Sequence, residues 1–160
     1  MSKKSKNTIT IAQLELACRH VKEMIDADVT ENLAIRSLEL FADVYAKLLT
    51  GGNASPHHVD QVKSELWSVE ARRERDANPN AKPKDHFRVE QGTPRRGFAR
   101  KVLNLYENVN LNEESMQELV EQYWKLAVIT LEEDRNLNKV ARSKIFDTPQ
   151  KRWAEAGIKF

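Results

Sequence analysis

Between Thr30 and Gly51 the chain reads TENLAIRSLELFADVYAKLLTG, and no other stretch constrains the architecture as strongly. Thr30 stands where a hydroxyl can cap a helix, and Gly51-Gly52 supplies a stop that tolerates a left-handed turn. In between, Leu33, Ile35, Leu38, Leu40, Phe41, Val44, Tyr45, Leu48 and Leu49 nearly encircle the helix. A helix apolar on most of its circumference has neighbours on more than one side. The sequence therefore places it at the centre of a helical bundle.

The flanking segments supply the neighbours. Upstream, Ile11, Leu14, Cys18, Val21 and Ile25 recur at spacings of three and four, the stripe of an amphipathic helix. Downstream, Ser55-Pro56 opens a third helix with Val59, Val62, Leu66 and Val69 inward, fading before Asn78-Pro79 and Lys82-Pro83. Residues 78–92 form an irregular connector in which Phe87 and Val89 alternate with His86, Arg88 and Glu90, the period of a short strand. Thr93-Pro94 starts a fourth helix, Asn112 caps a fifth, and Thr130-Leu-Glu-Glu133 is a capping box for a sixth. Leu126–Thr130 either finishes the fifth helix or forms a strand. Thr148-Pro149 opens a brief seventh helix closed by Gly157.

The expected fold is thus mainly α, a single-domain bundle of about seven helices with a two- or three-stranded ribbon from Phe87–Val89, Val128-Ile129 and Ile158-Lys159. Residues 1–7 are expected to be a flexible basic tail. Residues 8–160 form the domain: a three-helix unit (8–77), the connector (78–92) and a C-terminal helical unit (93–160).

Composition sets the class. The chain has 160 residues, 40% hydrophobic and 31% charged, with mean hydropathy −0.65. This profile excludes a disordered polyelectrolyte and an integral membrane protein. Cys18 is the only cysteine, which rules out an intramolecular disulfide and a zinc site built on several thiolates. A reducing, cytoplasmic setting is expected. Met1-Ser-Lys-Lys-Ser-Lys6 resembles the start of an export signal, but Gln13, Glu15 and Arg19 interrupt the apolar run that should follow.

The formal net charge of +2 conceals blocks of alternating sign: −2 over residues 1–71, +6 over 72–101, −6 over 102–136 and +4 over 137–160. The +6 block holds Arg72, Arg73, Arg75, Lys82, Lys84, Arg88, Arg95, Arg96, Arg100 and Lys101. The planar guanidinium fork suits bidentate phosphate contacts, and Arg95 and Arg96 fall at a helix start where free N–H groups already favour an anion. These ten residues are the candidate phosphate-binding set. The competing reading is that the block neutralises the −6 segment or is simply solvated. Cations at a helix N-terminus oppose its dipole, so Arg95 and Arg96 call for a compensating acid or anion.

His86 and Glu90 are the candidate catalytic pair, because a titratable base, an acid and several cations share one loop, the inventory of a metal-independent phosphodiesterase. His57, His58 and Asp60 lack a converging third ligand and read as surface groups, and no metal or other cofactor is expected. Neither Gly-x-Gly-x-x-Gly, a phosphate loop nor a Gly-x-Ser-x-Gly elbow occurs. Three functions remain. The first is a nucleic-acid-associated protein contacting DNA or RNA phosphates. The second is a protein-interaction or regulatory module, or homo-oligomer, working through charged faces and helix docking. The third is a nuclease around His86 and Glu90. No membrane partner is expected.

Overall fold

The computed structural model describes residues 8–51 and 55–160. The expected basic tail and Gly52 lie outside them. The protein is mainly helical with one small antiparallel sheet, and its contacts group it into two compact units, each drawn from two separated segments.

The first unit comprises residues 8–51 and Arg95–Glu121. Its helices are α1 (Ile11–Asp26), α2 (Glu31–Ala34), α3 (Arg36–Thr50), α5 (Arg95–Asn108) and most of α6 (Glu113–Tyr123). At the start of α1, Thr10 and Gln13 form a reciprocal capping box. The predicted stripe of α1 turns inward, with Leu14, Cys18 and Val21 buried. Helices α2 and α3 are nearly one: the bonds Ile35 N to Glu31 O and Glu39 N to Ile35 O, both 3.0 Å, carry the α pattern across the irregular Ile35. Gly51 takes the left-handed conformation at φ 62° and ends α3. Helix α3 packs on α1 and α5 through Leu38, Ala42, Tyr45 and Ala46. Asn112 caps α6 as its sequence implied, with its Oδ1 accepting from Ser115 N at 2.8 Å.

The Thr30–Gly51 segment packs on two helices, as expected, but it is enclosed less completely than its apolar circumference suggested. Leu33, Leu40 and Leu48 are 59%, 52% and 44% exposed. Among the described residues, the packing of α1 and α5 leaves these leucines half exposed.

The second unit comprises residues 55–94 and 122–160. Its sheet pairs β1 (Phe87–Glu90) with β2 (Ala127–Thr130), with Phe87 opposite Thr130 and Glu90 opposite Ala127. Leu126–Thr130 is therefore mostly strand rather than the end of a helix. Ala127 and Ile129 pack with Leu137, Ala141, Trp153 and Ile158, while Val128 packs with Val59, Trp67, Ala71 and Phe87. Both faces of β2 are covered, which explains an unbroken apolar run where a half-exposed strand would alternate. Helix α7 (Leu131–Ala141) starts at the predicted Thr130–Glu133 capping box, and α8 (Pro149–Glu155) starts at Thr148.

The expected third helix divides. Pro56–Gln61 and Ser64–Leu66 are 3-10 turns, Val62 and Trp67 are extended, and only Val69–Ala77 is α-helical (α4). The sheet pulls this segment open: Trp67 bridges Val128, and Ser68 N donates to Val128 O at 3.0 Å. The Ser68 hydroxyl then accepts from Ala71 N, beginning α4 afresh. Ile158-Lys159 adds no strand; Lys159 gives one carbonyl, which accepts from Val69 N at 2.8 Å.

Candidate functional site

The ten basic residues of the candidate phosphate set separate between the two units. In the first unit, three arginines of α5 meet acids of α2 and α3. Arg96 Nε donates to Glu39 at 2.6 Å and its Nη1 to Asn32 at 3.1 Å; Arg100 donates to Glu31 at 2.6 Å; Arg95 lies 3.7 Å from Asp43. These are the compensating acids that cations at a helix start require. They come from the −2 segment, not from the −6 segment that charge arithmetic had paired with the block. Lys101 is half-buried.

In the second unit, Arg73 pairs with Glu70 and Arg75 with Asp60, and the Arg75 guanidinium lies 5.2 Å from the centre of the Trp67 ring. Arg72 donates to Trp67 O, and Arg88 to the carbonyls of Lys84 and Phe87. Lys82 and Lys84 are exposed.

His86 and Glu90 take different partners. His86 Nδ1 lies 2.6 Å from Glu74 of α4 on the wall of a cleft of about 490 Å³. Glu70, Glu74, Asp85, Glu132 and Glu133 also line that cleft, against one arginine, Arg135. Glu90 is instead enclosed. Its carboxylate accepts from Gly92 N and Trp153 Nε1, each at 2.6 Å, and from Arg152 Nη1; the Arg152 and Glu90 side chains are 5% and 11% exposed. A carboxylate so satisfied ties β1 to α8 and has little acceptor capacity left for a substrate. The loop is tight around it: a Cβ on Gly92 (φ +82°) would stand 2.6 Å from Pro149 Cβ. The acidic lining of the His86 cleft raises a field against phosphate esters. Beside this network, burial pushes the Asp134 carboxyl above its ordinary range, against the lowering pull of Arg88.

Sequence reasoning missed the partners. Glu74 lies twelve residues from His86 and Arg152 lies sixty-two from Glu90, and no local spacing announces either pair. It also missed the open side of α2–α3. There Leu33, Ser37, Leu40, Val44 and Leu48 follow one another at steps of three or four, on the side opposite the buried Leu38, Ala42 and Ala46. Beside that stripe, Leu16, Ala17, Arg19, His20 and Glu23 of α1 and Ser37 and Phe41 of α3 line a groove of about 630 Å³. Leu16 is 52% exposed.

Other chemistries find little footing. Burial pushes the Cys18 thiol up to about 12, with Glu107 and Glu15 adding to the rise, so it is no nucleophile near neutral pH. Among the described residues, no group of three or more His, Cys, Asp or Glu is placed to hold a metal ion, and no helix is long and apolar enough to cross a membrane. No protein-family model, curated protein or solved structure matches the chain.

Proposed function

We propose that the chain is a protein-interaction module that docks a partner on the open side of α2–α3 and the adjoining groove of α1. One observation carries this reading: a stripe of leucines, Leu33, Leu40 and Leu48, stands about half exposed on a helix whose opposite side is already packed. Covering a leucine completely is worth roughly 1.5–3 kcal/mol, so each of these leaves about 1 kcal/mol unrealised until something covers it. Single exposed leucines need no explanation, but a continuous stripe marks an interaction surface. The stripe predicted for α1 does not offer a docking face, since Leu14, Cys18 and Val21 are buried inside its own unit.

The test is a photo-crosslinking amino acid placed at Leu40 in the cell, with the same group at exposed Glu65 of the second unit as control. Discrete adducts at position 40 and none at 65 are expected. No adduct at position 40 would end the reading.

Contact with nucleic-acid phosphates is a second proposal, supported by the exposed Lys82, Lys84 and Arg88 of the connector. The paired arginines of α5 lend it less. It requires steeply salt-dependent binding that weakens in Lys82→Ala with Lys84→Ala; no binding to DNA or RNA at low salt would remove it.

A further inference from the structure

Resting on the nucleic-acid reading, we infer that the last turn of α7 and the loop after it, through Lys139, Arg142 and Lys144, hold the phosphate backbone of a nucleic-acid duplex. The fold decides which cations are available. Of the +6 block, Arg95, Arg96 and Arg100 are taken up by Asp43, Glu39 and Glu31, and Arg73 and Arg75 by Glu70 and Asp60. In the +4 block, Lys151 pairs with Asp147 and Arg152 with Glu90. Lys139, Arg142 and Lys144 are all exposed, and among the described residues none of them has a hydrogen-bond or ion-pair partner. From Leu137 to Phe146 the chain carries no acid at all.

The helix sets their direction. Arg135, Lys139 and Arg142 stand four and three residues apart, and Arg142 keeps helical dihedrals (φ −50°, ψ −48°), so the three share one side of α7. Leu137 and Ala141 turn the opposite side into the core, which aims the row at solvent. Arg135, at the head of the row, lines the acidic cleft. From Glu132 to Lys139 the helix rises about 10 Å, roughly one Debye length at 0.1 M salt. The field of the cleft is therefore largely screened where the three cations stand. A helix C-terminus carries about half a negative charge, so complementing the dipole of α7 accounts for less than one of them. Asp134 feels the charges of both Arg88 and Arg135, which places the connector beside this same helix.

The chemistry of the patch selects the partner. A bilayer needs an apolar face to insert; α7 buries its own, and Val140 and Ile145 are the only large hydrophobics left exposed in this stretch. Residues 137–145 hold no aromatic ring on which an unpaired base could stack. What remains is a row of cations with the exposed Ser143 hydroxyl among them, a set that contacts backbone phosphates and does not read sequence.

Fluorescence anisotropy of a mixed-sequence DNA duplex with the purified full chain, from about 50 to 200 mM salt, tests the inference. Lys139→Ala, Arg142→Ala and Lys144→Ala made together should weaken binding at least about 10-fold at the lower salt, and flatten the plot of log K against log salt by about two to three in slope, because each phosphate contact contributes about 0.9. Lys139→Arg with Lys144→Arg keeps the charge and should bind like wild type. Far-UV circular dichroism should show unchanged helicity in every variant, since all three positions are exposed. A triple variant that keeps wild-type affinity and slope, while Lys82→Ala with Lys84→Ala weakens binding, would overturn this inference and leave the nucleic-acid reading in place. Tighter binding to single strands than to duplex, or retention on phosphatidylserine vesicles without duplex binding, would overturn it too. No binding of the wild type to any DNA or RNA at low salt would remove both.

Discussion

Strand β2 and the α2–α3 helix are both strongly apolar elements, and the structure treats them in opposite ways. Both faces of β2 are closed by residues of its own unit: Ile129 sits against Leu137 and Trp153, and Val128 against Trp67 and Phe87. Only one side of α2–α3 is closed, by α1 and α5, and Leu33, Leu40 and Leu48 stay open. Apolar residues all round an element show that it has neighbours on several sides, but not that the neighbours belong to the same chain. What separates the two is how the surrounding polar groups are used. Around the closed strand they form a latch sealed inside the unit, Glu90 with Arg152, Trp153 and Gly92. Around the open helix, Glu39 and Glu31 pair with arginines of α5 on the flank and leave the outer side bare.

Breaking the closed region should cost most. Arg152→Ala leaves the Glu90 carboxylate buried without its cation, and the loss should be about 3–5 kcal/mol, read as a fall in the urea midpoint. A loss under about 1 kcal/mol would show that the latch is wetter than its geometry implies. Ile129→Ala, which empties a fully buried site in β2, should cost roughly 2–5 kcal/mol, with the exact value set by how far Leu137 and Trp153 collapse into the space. Ser68→Ala should cost about 1 kcal/mol for the lost α4 cap. It also removes the 2.6 Å bond from the Ser68 hydroxyl to Glu133, which ties α4 to the start of α7. If that bond contributes, Glu133→Gln made with Ser68→Ala will cost less than the two changes measured separately.

Local chemistry made much of this legible. Thr130–Glu133 and Asn112 are capping signals with one physical reading, and the structure uses both. Thr10-Ile-Ala-Gln13 is an equally clear capping pattern and could have fixed the start of α1. The failure at residues 55–77 has a different origin. The valine spacing was helical, but Trp67 and Ser68 gain more by bonding along β2 than by continuing a helix, and that bond joins positions about sixty residues apart in sequence. The same distance in sequence hid the partners of Glu90 and of the α5 arginines. Residue types announced that Arg95 and Arg96 needed counter-charges, though only the fold could say which; the need of Glu90 for one was not announced at all. The open side of α3 was invisible for a simpler reason: its leucines carry the same pattern whether the covering surface comes from this chain or from another.

Leu40→Ala is the smallest expected effect and the one that tests the comparison most directly. Leucine and alanine are both strong helix formers, and position 40 is half exposed, so stability at low protein concentration should change by no more than about 0.5 kcal/mol, against the several lost at Ile129. Equal losses at positions 40 and 129 would mean that α3 is closed within its own chain, as its sequence first suggested. A neutral Leu40→Ala would mean that this side of the helix is not closed within its own chain, as the exposure of Leu40 implies.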